Sequence, residues 1–189
     1  MKVLKLISIL GLILLVAGVV GFFLIKSPDK NRSAQTTTGT GQYSGLNAGS
    51  NVGEVAPNFQ LTKIDGSRVS VSELRGHPAV LIFWTAWCPV CKEEAPHFNE
   101  LAARYGPKGV RVLGINIQDS EARTRAGIKS FGIQYAVARD TDAAVAKLYK
   151  VTGTPTVVLL DRNGVVRYTG NELPVDYAQR FDTMLAENG

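Results

Sequence analysis

The stretch AVLIFWTAWCPVCKEEAPHFNELAARY, residues 79–105, holds both cysteines of the 189-residue chain, Cys88 and Cys91, with two residues between them. Its first nine residues form an apolar run rich in β-branched and aromatic side chains, which predicts a strand buried on both faces. The pattern then changes. Pro89 suits a first helical turn, and Cys91, Ala95, Phe98, Ala102 and Tyr105 recur at helical spacing, so a helix is expected over 89–105, kinked at Pro96. The cysteines thus fall where a buried strand ends and a helix begins, the usual location of a site in an open α/β sheet.

Downstream, GVRVLGINI at 109–117 reads as a second strand, and a helix begun by Ser120 closes near Gly132. A further helix over 141–150 is expected to be capped by Thr141 or Asp142. PTVVLLDRNGVVRYTG at 155–170 reads as two strands joined at a turn containing Asn163 and Gly164, and a final helix covers 175–187. The order strand, helix, strand, helix, helix, hairpin, helix predicts an α/β sheet that mixes parallel and antiparallel pairs. There is no internal repeat, and residues 51–189 are one domain of ordinary size.

The amino end has a different character. Residues 6–25 are uncharged and long enough to cross a hydrocarbon layer of roughly 30 Å as a helix, so residues 1–26 are expected to anchor the chain in a membrane. The competing reading is a cleavable signal peptide, whose apolar stretch is usually shorter and ends at a small-residue cleavage site. No cysteine follows the run to accept a lipid. Lys2 and Lys5 before it face Lys26, Lys30 and Arg32 after it, so charge does not set its orientation. Residues 27–50, rich in Ser, Thr, Gly and Asn without apolar periodicity, read as a flexible linker. Nearly all of the net charge of +5 belongs to these segments, because from Glu54 onward 16 Lys/Arg stand against 15 Asp/Glu. A nearly neutral domain argues against nucleic acid as a partner.

Three chemistries suit a close cysteine pair. A zinc or copper site needs further Cys or His ligands, and only His77 and His97 exist, neither in a second close pair. A structural disulfide closing so short a loop stabilises by about 2 kcal/mol before strain is subtracted. A redox dithiol accounts for placement as well as spacing. Cys88 at a helix N-terminus has unpaired backbone N–H groups and the helix dipole to favour its thiolate, and Cys91 one turn later is within bridging reach. On this reading Cys88 is the exposed nucleophile that attacks a partner's disulfide, and Cys91 the shielded thiol that resolves the mixed intermediate.

Residues 52–187 resemble the thioredoxin superfamily, in particular its membrane-anchored TlpA, ResA and CcmG/DsbE-like thiol-disulfide oxidoreductases. The resemblance rests on VGEVAPNFQLTKIDGSRVSVSELRGHPAVLIFWTAWCPVCKEEAP, GVRVLGINI and VTGTPTVVLLDRNGVVRYTG occurring in that order. It implies a thioredoxin fold, a central mixed sheet flanked by helices, with an N-terminal extension and an added helix and strand around 119–139. It implies that Thr154–Pro155 is a cis peptide lying against the dithiol and presenting backbone to a substrate, with Trp87, Pro89 and Val90 bordering the site. Plain thioredoxin carries a buried Asp six residues before its first cysteine, where this chain has Ile82. Glu94, three residues after Cys91 and on the same helical face, is the candidate proton carrier instead, as in ResA-like proteins, while Glu93 points about a quarter turn away. His77 and His97 are read as surface residues. Peroxiredoxins share the APNFQL type of opening, and Thr85 stands three residues before Cys88, but the Pro they place four residues ahead of that Thr is Leu81 here.

The implied function is reduction of protein disulfides, in apocytochrome c or another metalloprotein precursor, by the Cys88/Cys91 pair alone and with no cofactor or metal. The implied electron donor is a membrane thiol carrier of the CcdA or DsbD kind, and the implied location is the outer side of a bacterial cytoplasmic membrane, on a single span. The alternatives are an oxidase or isomerase of secreted proteins and a non-enzymatic copper or zinc carrier.

Overall fold

The computed structural model describes residues 48–187, so the expectations for the anchor and for most of the linker lie outside the described residues. Residues just before 51 already contact the domain. The N–H of Gly49 donates to the carbonyl of Val55 at 3.0 Å, and Ser50 is buried.

The buried run becomes strand β3 (Ala79–Trp84), with every position inaccessible to solvent. Alternation sends Leu81 and Phe83 into one core and Val80 and Ile82 into another on the opposite face. Strand β4 (Arg111–Ile117) lies parallel to β3 on one side, and β6 (Thr156–Leu160) antiparallel on the other. Adding β5 (Ala136–Asp140), β7 (Val166–Gly170) and the hairpin β1 (Gln60–Lys63) with β2 (Arg68–Ser70) completes a seven-stranded sheet in the order β2-β1-β5-β4-β3-β6-β7. The mix of parallel and antiparallel pairs is the one expected, whereas the β1–β2 hairpin is absent from the order of elements read from the sequence.

Among the described residues five α-helices flank the sheet: α1 (Val71–Leu74), α2 (Pro89–Tyr105), α3 (Glu121–Phe131), α4 (Ala144–Leu148) and α5 (Tyr177–Ala186). Phe98, Leu101 and Tyr105 of α2 pack with Phe181 and Met184 of α5 against Val80 and Ile82. Val71 and Leu74 of α1 and Val145 and Ala146 of α4 cover the other face. Helix α3 contributes Ile128 and Phe131 to a smaller cluster around Trp84 and the two cysteines. Its Gly127 passes so close that an added Cβ would come within 2.8 Å of Ala86 Cβ.

Several local expectations are met and others need correction. Ser120 caps α3, accepting the Arg123 N–H at 3.3 Å, and Gly132 closes it at φ 66°. Asn163 and Gly164 form the β6–β7 turn, with Gly164 at φ 77°. The first strand stops at Trp84, short of Trp87, because Thr85 to Trp87 turn the chain into α2: the Cys88 N–H donates to the Thr85 carbonyl at 3.3 Å. Helix α2 runs through Pro96 without a break. The cap of α4 comes from further back than expected. Asp140, at the end of β5, accepts the N–H groups of Val145 and Ala146, Asp142 accepts that of Ala144, and Thr141 takes no part in the cap. The added helix and strand implied around 119–139 are α3 and β5.

Candidate active site

The site is built where β3 ends and β6 begins. Because these strands are antiparallel, with Phe83 opposite Thr156, the turn after β3 faces the loop before β6. Cys88 and Pro155 meet there although 67 positions separate them in sequence. Cys88 is the N-cap residue of α2, Pro89 occupies the first turn, and the sulfur accepts the Cys91 N–H at 3.1 Å. Cys88 and Cys91 are joined as a disulfide, with their Cα atoms 5.3 Å apart. On reduction, the same N–H and the positive end of the helix dipole remain aimed at the Cys88 sulfur and favour its thiolate.

Thr154–Pro155 is a cis peptide, and the Thr154 carbonyl oxygen lies 3.3 Å from Cys88 Sγ. A reduced Cys88 thiol can donate to that oxygen. The loop is braced from two sides: the Thr156 hydroxyl donates to the Gly153 carbonyl at 2.7 Å, and the Asn171 amide donates to that of Pro155 at 2.9 Å. Asn171 could not be found by motif, because it reaches the site from the end of β7.

The two cysteines differ less in exposure than expected. Both are 4% exposed, so in the disulfide form Cys88 is no more open to solvent than Cys91. Their surroundings distinguish them instead. Cys91 borders a closed apolar niche with Trp84, Phe98, Phe131, Ile133 and Pro155, whereas Cys88 has the Thr154 carbonyl and its own helix N–H. Around the pair, Trp87 is 70% and Val90 50% exposed, Pro89 is exposed, Thr154 half-buried and Pro155 buried. Trp87, Pro89 and Val90 thus present exposed side chains beside Cys88 in the chain, while Thr154 approaches its sulfur through a backbone carbonyl.

Glu94 and Glu93 separate as the helical geometry predicts. Glu93 is exposed and Glu94 is half-buried, its carboxylate 3.2 Å from Nδ1 of His97 one turn further on. His97 is a surface residue, but the sequence reading missed its pairing with Glu94. His77 lies beside Arg111 at the opposite end of the strands, so the two histidines do not converge on the cysteines.

A second set of residues escaped the motif search. Asp119, 5% exposed, accepts the Ala86 N–H at 2.7 Å and the Asn116 amide at 2.9 Å through the same oxygen. The Thr124 hydroxyl donates to the Asn116 carbonyl oxygen at 2.7 Å, and Arg123 lies 3.8 Å from the other Asp119 oxygen. This buried network ties β4 and the first turn of α3 to the backbone two residues before Cys88.

A family model matches residues 52–169, from the N-terminal extension through β7, and its description is the AhpC/TSA family. The chain belongs to the AhpC/TSA family. Within this redoxin family it is similar to the thiol-disulfide oxidoreductase ResA of Geobacillus kaustophilus, 34% identical over 135 residues, or 70% of this chain and 78% of that one. ResA of Bacillus cereus is 32% identical over 115 residues, 61% of this chain and 66% of that one, slightly under two thirds of its length. Among solved structures, a protein described as the thiol:disulfide interchange protein DsbE of Chlorobium tepidum superposes with a TM-score of 0.66 at 30% identity, over 72% of this chain and 99% of that one. A secreted disulfide oxidoreductase of Mycobacterium tuberculosis, homologous to E. coli DsbE, gives 0.57 at 26% identity, over 68% and 96%. These redoxins support the thioredoxin fold and the ResA/DsbE-like resemblance drawn from the motifs.

Proposed function

We propose that this redoxin is a thiol-disulfide oxidoreductase that reduces disulfides in other proteins on the outer side of a bacterial cytoplasmic membrane, held there by the apolar segment at residues 6–25. The observation that carries the chemistry is the Cys88–Cys91 pair at the N-terminus of α2 against the cis Thr154–Pro155 peptide. The names of the relatives support the same class of reaction.

The reaction runs in two exchanges. The Cys88 thiolate attacks one sulfur of the substrate disulfide, forming a mixed disulfide and expelling the other substrate sulfur as a thiolate, which takes up a proton. Cys91, deprotonated, then attacks the Cys88 sulfur and releases the second substrate thiol. The substrate gains two electrons and two protons, and the protein is left as the Cys88–Cys91 disulfide. A membrane thiol carrier of the CcdA or DsbD kind returns it to the dithiol. Glu94 exchanges protons with the thiols as they ionise. Trp87, Val90 and Pro155 hold the substrate segment, whose backbone pairs alongside Thr154. Apocytochrome c or another thiol-bearing metalloprotein precursor is the substrate.

The deciding experiment is the reduction potential of the Cys88/Cys91 couple, with a mass-spectrometric search for the partner trapped by Cys91→Ala. A potential close to that of thioredoxin supports the reductant. A potential near that of DsbA, or a tightly bound metal ion in the reduced protein, replaces it with the oxidase or the carrier.

A further inference from the structure

A cleft of about 440 Å³ opens beside the dithiol. Its near wall is made by Trp87 and Thr154, the neighbours of Cys88 in sequence and in space, and Cys88 Sγ is 3.3 Å from the Thr154 oxygen. Ile117, Ala143, Ala146 and Val151 give it an apolar lining. Cys88 itself is not part of the lining, but both residues of this wall adjoin it.

The charge of the cleft is one-sided. Three charged residues line it: Asp119, Arg123 and Lys147. The Asp119 carboxylate is 2% exposed: one oxygen accepts the Ala86 N–H and the Asn116 amide, and the other is the one nearest Arg123. Arg123 lies 3.8 Å from Asp119, yet its side chain is 66% exposed. Lys147 is exposed, and among the described residues no carboxylate lies within ion-pair distance of it. No carboxylate of α2 lines the cleft. An apolar lining with two cations at the rim fits a side chain that has a short hydrocarbon stem and an anionic end.

We infer that this cleft is a specificity subsite that takes an Asp or Glu side chain next to the target cysteine of the substrate. The inference rests on the oxidoreductase reading and adds to it the chemistry of the segment recognised. The stem lies against Ile117 and Val151, and the carboxylate meets Arg123 and Lys147. Asp119 keeps this wall in place by fixing both Ala86 and Arg123. Because both cations are hydrated, the selectivity is moderate and fades as salt is added.

The test uses the full chain in its reduced form and three peptides with the same disulfide, flanked next to one cysteine by Glu, Gln or Lys. The expected order of second-order rate constants is Glu, Gln, Lys, with a spread of roughly tenfold at low salt that narrows at high salt. Arg123→Glu/Lys147→Glu should invert that order. Lys108→Glu/Lys129→Glu makes the same change in net charge away from the cleft and should preserve it. Equal rates for the three peptides with the parent overturn the inference, as does inversion by both double variants, which would trace the preference to overall charge. If the parent reduces none of the peptides, the oxidoreductase reading itself fails, and the subsite with it.

Discussion

The carboxylate of Asp119 accepts the backbone N–H of Ala86 at 2.7 Å across 33 positions of sequence. One member of this pair begins the turn into Cys88, and the other precedes the cap of the inserted helix α3. Through this bond the insertion braces the turn that leads to Cys88.

Asp119→Ala should therefore weaken both stability and exchange. It strands the Ala86 N–H and the Asn116 amide, at a cost of about 2 kcal/mol. Asp119→Asn keeps an oxygen for both donors and loses the attraction of Arg123, so it should recover most of the stability. Urea unfolding together with the rate of exchange with a small disulfide separates the two. A parent-like exchange rate in a folded Asp119→Ala protein would show that the bond does not position Cys88.

The packing of α3 on the same turn gives a second prediction. At Gly127 an added Cβ would stand 2.8 Å from Ala86 Cβ and 2.9 Å from Trp84 Cζ3. In an open helix Gly→Ala gains roughly 1 kcal/mol from propensity. Here overpacking should outweigh the gain, at a cost of about 1–3 kcal/mol. A denaturation midpoint for Gly127→Ala at or above that of the parent would mean that α3 can move aside freely.

On the proposed mechanism, the division of labour between the cysteines rests on the N-cap position of Cys88, since both are 4% exposed. Cys91→Ala should accumulate mixed disulfides through Cys88, whereas Cys88→Ala should accumulate almost none. Non-reducing gels and mass spectrometry of cells expressing each variant read this directly. Equal trapping would reverse or abolish the assignment.

Glu94→Gln should shift the apparent thiol titration of the reduced protein and slow the reduction of protein disulfides, because it removes a half-buried carboxylate and keeps its size. Glu93→Gln, on the exposed face, should do little. His97→Gln provides a further comparison by removing the partner seen at 3.2 Å. Identical titration curves for parent and Glu94→Gln would leave the glutamate a surface group.

An alkaline phosphatase fusion after Gly49 should be active if residues 6–25 span the membrane with the domain outside. An inactive fusion would place the domain on the other side.

Legibility in the sequence tracked how local the determining physics is. Strand β3 and helix α2 could be read because an apolar run and an i, i+4 pattern are decided within about 25 residues, and the dithiol lies at their junction. Strands β1 and β2 gave no comparable signal: β1 alternates exposed and half-buried positions over four residues, and β2 has only three. Strand β5 is five residues long and ends in Arg139 and Asp140. Asp140 then caps α4 from outside the segment that reads as helical, so a search for a cap among Thr141 and Asp142 stops one residue short of the main one. Asp119 and Asn171 were invisible for a different reason. Each looks like an ordinary polar loop residue until tertiary contacts show which backbone group it holds.

The antiparallel pairing of β3 with β6 has a consequence for the order of assembly. A ribosome delivers the cysteines first and the Thr154–Pro155 loop more than sixty residues later. Until β6 docks, β3 has an unpaired edge along its whole length and the sulfurs have no lid on that side. A nascent or truncated chain ending before residue 156 therefore offers two accessible thiols beside a naked apolar strand, a species prone to non-native crosslinking and to strand-mediated aggregation. The strand that pairs the open edge of β3 also follows the loop that covers the dithiol, so pairing of that edge and control of the sulfurs arrive together.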